Sequence, residues 1–550
     1  MKRLLIKLNA DKRGFILPML ISFIVAALIF TAAALEIIQS NLTTVNTNVQ
    51  SQQAFNIAEA GANYYLWHLS HNATDYKDGQ TVPATPDPVL GYGPYVHQYL
   101  DNNTVNTGTF TLWINPQGGG STVVTVRSIG QVKNTNIIRT VQVQIGAASF
   151  ASYGVVSDSA LWFGNTESAL GPVFSNQGVR MDGSSTDTVS SANTTYLPPF
   201  ANGGCSSSNC PEPGVWCDPS VITPVNCNTR NKTNWIFPTT TVNFNQVNSS
   251  LCSMKKTAFA DFAATASLAT MANACSQTPT TRTGAYLPQR SSSGAYSVTK
   301  GYLIKLNSNG TYDLLNVNAE DDRLTPYTSA LTTSPIATGI ATPPSGVIFA
   351  EDNVWVLSNP TFHGRVTIAA GRLAQANSMA EIVISGPIVY STKNGSDSIG
   401  LVSETSVFVA PYAPPVSGAF NYEVDAAVLA ESGNVTYGEN SESTVGNGTF
   451  QAGYRAQQSK CSRGWTNSNQ TMLFYGSVAT RQLWTWTWDF GSGHSGHCGD
   501  NSQGNSGHWI SGILNNSTQY DYNLLYNPPP SYPITSSFNV LSWREVLTHP

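Results

Sequence analysis

The most concentrated chemistry in this chain is thiol chemistry. Cys205, Cys210, Cys217, Cys227, Cys252 and Cys275 fall within residues 205–275, with Cys461 and Cys498 further on. An even set of thiols at short spacing serves either disulfide formation or zinc ligation. The window of six holds no histidine, and Cys205-x4-Cys210 is looser than the spacing of a zinc knuckle. Three disulfides stapling an irregular insertion are therefore expected, with Cys461 and Cys498 bridging a second loop. The pairing within the six stays open. That second loop also gathers His494, His497, Cys498 and His508, but with Cys461 at hand a disulfide is favoured. No metal and no cofactor are expected.

Paired carboxylates are the second candidate. Glu351 with Asp352, and Glu320 with Asp321 and Asp322, are what cleavage of a glycosidic bond requires if they converge on a groove. Such pairs also arise at corners and caps, where a carboxylate accepts from backbone amides. The chain has no nucleophile elbow, phosphate loop or HExxH motif, so no enzyme is expected. Asp182 and Asp187 in MDGSSTDT miss the EF-hand spacing, and a solvated turn is expected there instead of a calcium site. Trp484, Trp486 and Trp488 alternate in LWTWTWDF (483–490). On one strand face they form either a stacking platform for a sugar ring or protein partner, or a stripe buried beneath the loop.

The elements that must position these groups are largely β. Charged residues make up 11% of the 550, against about 25% in an average globular protein. The deficit is filled by Asn, Ser, Thr, Gly and Gln, as in β-proteins outside the cytoplasm. With a net charge of -5 and no basic cluster beyond the N-terminus, nucleic acid is not an expected partner. Residues 153–183 and 345–375 form a weak internal repeat: a short apolar strand, a polar corner, a second strand, then Gly and a third strand. Short strands separated by Gly, Asn, Ser or Asp corners predict a right-handed parallel β-helix over 148–200 and 301–519. An antiparallel sandwich would show regular hairpin turns, and Asn394-Gly395 and Asn447-Gly448 are not regular. Between the two portions, 201–300 is a Cys-rich insertion whose Ala- and Phe-rich stretch 253–274 reads as a helix on the solenoid's side. Residues 520–550, with Pro528 to Pro530, read as an extended cap.

The N-terminus carries Lys2, Arg3, Lys7, Lys12 and Arg13, followed by an uncharged stretch over 15–35. That length crosses a bilayer core as a helix, and the flanking charge keeps the N-terminus cytoplasmic. A secretory signal cut after Ala32-Ala33-Ala34, a plain signal anchor, and a leader cut between Gly14 and Phe15 all begin this way. The helical pattern continues, however: Leu35, Ile38, Leu42, Val45 and Val49 keep three- and four-residue spacing. After Gln52-Gln53 the pattern resumes with Phe55, Ala58, Ala62, Tyr65 and Leu69. Residues 15–70 are thus expected as one rod. Strands over 109–114, 122–130 and 137–145 then form a small antiparallel head within 71–147, packed on Phe55, Tyr65 and Leu69.

The Lys12-Arg13-Gly14-Phe15 junction, the apolar stretch and QQAFNIAEAGANYYLW (52–67) resemble the type IV pilin-like superfamily, in particular its PilX-type minor pilins. Segments 346–356 and 520–546 resemble bacterial proteins that join such an N-terminus to a β-helix. The resemblance implies a prepilin leader (1–14) cleaved at Gly14, N-methylation of Phe15, and an apolar helix including Pro18, Met19 and Leu35 packed into a pilus core. Major pilins carry Glu where this chain has Met19, which implies a low-copy or tip subunit. The implied partners are other pilins, the assembly machinery and the cytoplasmic membrane, with a surface glycan or protein as ligand. The bulk would lie outside the cytoplasm, then on a pilus or cell surface. The alternatives are a type II secretion pseudopilin and a membrane-anchored β-helix carbohydrate-active enzyme.

Overall fold

The computed structural model describes residues 16–71, 75–80, 86–116, 123–146, 148–164, 167–199, 210–219, 232–260, 275–276, 282–290, 301–320, 327–375, 379–410, 420–437, 470–489, 510–513, 516–535 and 539–546. Helix α1 (Ile16–His71) runs unbroken for 56 residues, or roughly 84 Å at 1.5 Å per residue. Pro18 sits in its first turn, where a missing N–H is tolerated. The hydroxyls inside the apolar stretch are folded back onto the helix: Ser22 Oγ donates to the Pro18 carbonyl at 2.7 Å and Thr31 Oγ1 to the Ala27 carbonyl at 3.0 Å. Their polarity is thereby hidden from apolar surroundings.

The two halves of α1 differ in burial. Residues 16–49 are exposed, whereas Ala54, Ile57, Ala58, Ala62, Tyr65 and Leu69 form one buried face. Tyr65 and Leu69 lie where expected. Phe55 does not: the buried stripe passes through Ala54, and Phe55 is left half-buried at the sheet's edge.

Four strands follow: β1 (Tyr92–Leu100), β2 (Asn106–Pro116), β3 (Val123–Val132) and β4 (Ile138–Gly146). They pair as an antiparallel meander. The sheet has five strands instead of the expected three. One addition is β1, which precedes the first expected strand at 109–114. The other is Asn539–Val546, which pairs antiparallel with β4 and forms the sheet's edge. This strand corrects the expectation of a cap over 520–550, because the open edge of β4 offers unpaired backbone that a returning segment satisfies. Leu112, Ile114, Val124, Val126, Val141, Val143 and Ile145 meet the buried face of α1. At the closest approach Gly130 lies against the Ala54 carbonyl and the Ala58 amide.

Beyond the head, strands stack in parallel. Val347–Ala350, Arg365–Ala370, Ser398–Ser403, Phe420–Ala430 and Gln470–Thr480 form one sheet. The intervening Asn353–Asn359, Ile382–Ile384, Val407–Val409, Val435–Tyr437 and Trp484–Thr485 form a second. Each strand thus pairs with the strand two further on, which is a β-helix-like coil. Residues 301–341 depart from the expected solenoid. Gly301–Asn307, Thr311–Glu320 and Leu331–Ala341 form an antiparallel flap that extends the second sheet.

Stacking order does not follow chain order. Val155–Ser157 pairs with Gln470–Thr480, and Val173–Ser175, Val189–Ser191 and Trp235–Ile236 continue outward from it. Trp235–Ile236 ends this sheet on one side and Tyr286–Leu287 on the other. The connection between those ends includes α2 (Gln246–Ala260). Along the first sheet Ile348, Ala350, Ile368, Leu401, Val428 and Val478 face the coil interior. The alternate residues Val347, Phe349, Ala369, Val402, Leu429 and Ala479 face Val247, Leu251, Met254, Ala258 and Phe259 of α2, with Tyr520, Leu524 and Tyr532. Burial on both faces explains continuous apolar runs such as VIFA and AAVLA.

If the Gly130 contact sets the helix on the sheet, Gly130→Val should destabilise the head by about 1–3 kcal/mol, the usual scale of overpacking. Denaturant unfolding of the detergent-solubilised chain measures this, and an unchanged midpoint would show that the helix seat tolerates a side chain.

Candidate assembly site

The free half of α1 is the largest exposed apolar surface among the described residues. Over 16–35 apolar residues surround the helix, with Met19 72% exposed and Phe23, Leu28, Phe30 and Leu35 similarly bare. A helix apolar all round belongs in lipid or inside a helical bundle, and this one is long and apolar enough to cross a membrane. Glu36 is the only charged residue in 16–49. Past it, exposed Ile38, Leu42, Val45 and Val49 continue as a stripe flanked by Ser, Thr, Asn and Gln. Pro18, Met19 and Leu35 all lie on this exposed rod. Gly14 and Phe15 fall outside the described residues.

Two polar clasps hold the buried half to the head, and the sequence reading foresaw neither. At the waist, Arg139 on β4 pairs with Glu545 of the C-terminal strand, donates to Ser51 Oγ of α1 at 2.6 Å, and lies over the Phe55 ring. Phe55 in turn meets Trp543 edge-on at 5.6 Å. The hydrogen bond from Arg139 holds the Glu545 carboxyl below its ordinary range. At the far end, Asp78 accepts from Tyr64 Oη at 3.2 Å and pairs with His97 Nε2 at 2.7 Å. Asp75 pairs with His68 Nδ1 at 3.1 Å and accepts from the Lys77 and Gly79 amides. Burial first, then Asp78, pushes Tyr64 up to about 12. These groups come from well-separated segments, so no local motif announces them.

Elsewhere the structure sorts the sequence candidates. Cys252 and Cys275 form a disulfide with each other, and Cys210 and Cys217 each take part in a disulfide. Cys205, Cys227, Cys461 and Cys498 lie outside the described residues, as do Asp321, Asp322, His494, His497 and His508. Among the described residues no three metal-ligating side chains cluster. Glu351 and Asp352 are buried at a corner between coil strands. Glu351 pairs with Lys255 of α2 and accepts from Tyr286 Oη at 2.8 Å. Asp352 pairs with Arg372 and accepts from the Arg290 amide at 3.1 Å. Glu320 closes its strand.

Asp182 is not in a solvated turn. It is fully buried, pairs with Arg180 at 2.7 Å and accepts from Trp162 Nε1 at 3.0 Å. Asp187 accepts from Tyr522 Oη at 3.0 Å and so ties the C-terminal segment to a coil. The Trp platform is also corrected for two of its members. Trp486 is 3% exposed against Phe474, and Trp484 is half-buried against Phe163. Trp484 opens the short strand Trp484–Thr485, Trp486 sits in the bend that follows it, and both pack on the apolar interior of the coil. The side chain of Trp488 lies outside the described residues. Trp162, 44% exposed, lies nearby, and the guanidinium of Arg180 contacts both its indole and that of Trp216.

No protein-family model matches the chain, and no curated protein matches it. Among solved structures, the crystal structure of competence-associated pilin ComZ from Thermus thermophilus aligns over 91% of this chain and 98% of its own, at 11% identity and a TM-score of 0.29. That alignment is too loose to carry an argument.

Two outcomes are expected. Val25→Lys, at the middle of the apolar stretch, should cost insertion about 2.5–3.5 kcal/mol, read as a shift of the chain from membrane to soluble fractions. Unchanged fractionation would mean that this stretch does not cross lipid. In the solenoid, burial and then Glu404 push Glu431 up to about 7. A carboxyl raised in the folded state gives stability that is complete below its unfolded value near 4.5 and is lost as pH rises through 7. Glu431→Gln should therefore flatten the stability profile between pH 4.5 and 7 and stabilise the fold at pH 8. Superimposable wild-type and variant profiles would contradict this.

Proposed function

We propose that this protein is a minor, PilX-type subunit of a type IV pilus-like filament. It would be held first in the cytoplasmic membrane and then in the filament core by the exposed half of α1, and would display its solenoid outside the cell. One observation carries this reading: a single unbroken helix is the core of a sheet over 54–69 and is bare and apolar over 16–35. A signal peptide or simple anchor requires an apolar helix but does not require it to continue as the spine of the adjoining domain. A filament subunit requires both.

The polar, low-charge solenoid, read as a right-handed β-helix, is the displayed part, with a surface glycan or protein as its ligand class. Met19, where major pilins carry Glu, and the bulk of the solenoid support a low-copy or tip position, because heads of this size could not share the lateral spacing of a major pilin. The role is structural: assembly and surface display or adhesion, without catalysis.

The test is the N-terminal mass of the protein from producing cells. A mature chain starting at methylated Phe15 supports processing by a prepilin peptidase. A start at Met1 or near Leu35 would overturn it, leaving a signal anchor or a secreted protein.

A further inference from the structure

The carboxylate singled out in the sequence as an enzymatic candidate, Glu351, lies instead in the core between the first sheet and α2. Lys255 is 0% exposed and Glu351 1%. Lys255 shares its helix face with Leu251, Met254, Ala258 and Phe259, which pack with Phe349 and Tyr286. Its Nζ touches Glu351 Oε1, and Tyr286 Oη donates to that same oxygen at 2.8 Å. The second carboxylate oxygen, Oε2, is buried without a hydrogen-bond partner.

A buried ion pair is paid for by desolvation, and the penalty is largest when a charged oxygen is left unsatisfied. We propose that the pair resolves this covalently: Lys255 Nζ condenses with the Glu351 carboxyl to form an isopeptide bond and one water. One proton passes from the ammonium to Oε1, the oxygen it touches, and the nitrogen lone pair attacks the carboxyl carbon. The Tyr286 hydroxyl, already placed to donate to Oε1, eases the departure of that oxygen. The carbon–Oε1 bond then breaks, Oε1 leaves as water with the second proton from nitrogen, and Oε2 becomes the amide carbonyl. An ammonium and a carboxylate thus become a neutral amide and water, with no oxidant, metal or co-reactant.

In bulk water the solvation of the two ions opposes this condensation. In a water-excluding core that opposition is gone, and holding the two groups in contact replaces a bimolecular encounter. The bond would fasten α2 to the coil corner beside Tyr286–Leu287, near one end of the first sheet. Unlike the disulfide that joins Cys252 of the same helix to Cys275, it would survive reduction.

The test is the intact mass of the purified full chain after denaturation, reduction and alkylation, followed by peptide mapping. The wild type is expected to be lighter by one water than the mass calculated for its processed, alkylated sequence, with a branched peptide joining Lys255 and Glu351. Lys255→Arg should have the full mass calculated for its own processed, alkylated sequence. Glu351→Gln, which keeps the side chain's shape, should lose ammonia and give the wild-type branched peptide. Tyr286→Phe should leave a larger uncrosslinked fraction. A wild-type chain at its full mass, with the two residues in separate peptides, would show an ion pair only and overturn the proposal. Loss of water mapped to any other site would overturn it equally.

Discussion

Where α1 crosses β3, Gly130 brings strand backbone against Ala54 and Ala58 with no side chain between them. Helix and sheet approach this closely only because the residues at the crossing are small, and the larger Ile57 and Tyr65 pack to either side. That seat fixes which part of the helix is core and which part is left outside. Everything on the N-terminal side of it, from Val49 back to Ile16, is exposed in the chain by itself and needs lipid or other helices to cover its apolar surface. Arg139, pairing with Glu545 and bonding Ser51, reinforces the same point from the sheet's edge.

The solenoid is joined to this seat by two chain segments. It departs after β4 and returns through Asn539–Val546, the strand beside β4. The two connecting segments also bond each other: the Phe150 amide donates to the Pro533 carbonyl at 3.0 Å, and the Thr535 amide to the Ala148 carbonyl at 2.7 Å. A double connection restrains orientation more than a single linker does. Within the solenoid, Val155–Ser157 pairs on one side with the nearby Val173–Ser175 and on the other with the distant Gln470–Thr480. The seam between the two portions is therefore made of contacts distant in sequence, which form late because loop closure must precede them.

Local periodicity made α1 legible from Ile16 onward, and strict alternation did the same for β2, β3 and β4. The buried stripe differs from the expected one at Phe55, because the small residues Ala54 and Gly130 make the contact that a reading by hydrophobicity assigned to that ring. The coil repeats were legible from their apolar strands and polar corners, but the stacking of early coils on late ones was not, since no local pattern encodes it. The C-terminal strand was hidden behind Pro528 to Pro530, whose character belongs to the preceding segment. Trp484 and Trp486 show a further limit: alternation tells which residues share a face, and only the fold tells whether that face is wet. Glu351 and Asp352 read as a candidate catalytic pair because their partners Lys255 and Arg372 are remote or inconspicuous in the sequence.

The central claim is that α1 places the solenoid on a filament as a sparse component. Filaments sheared from producing cells and labelled with gold-conjugated antibody against the solenoid test it directly. The account predicts label on the filaments, at their ends or at widely separated points. Label confined to the cell envelope, or dense along every filament, would contradict it.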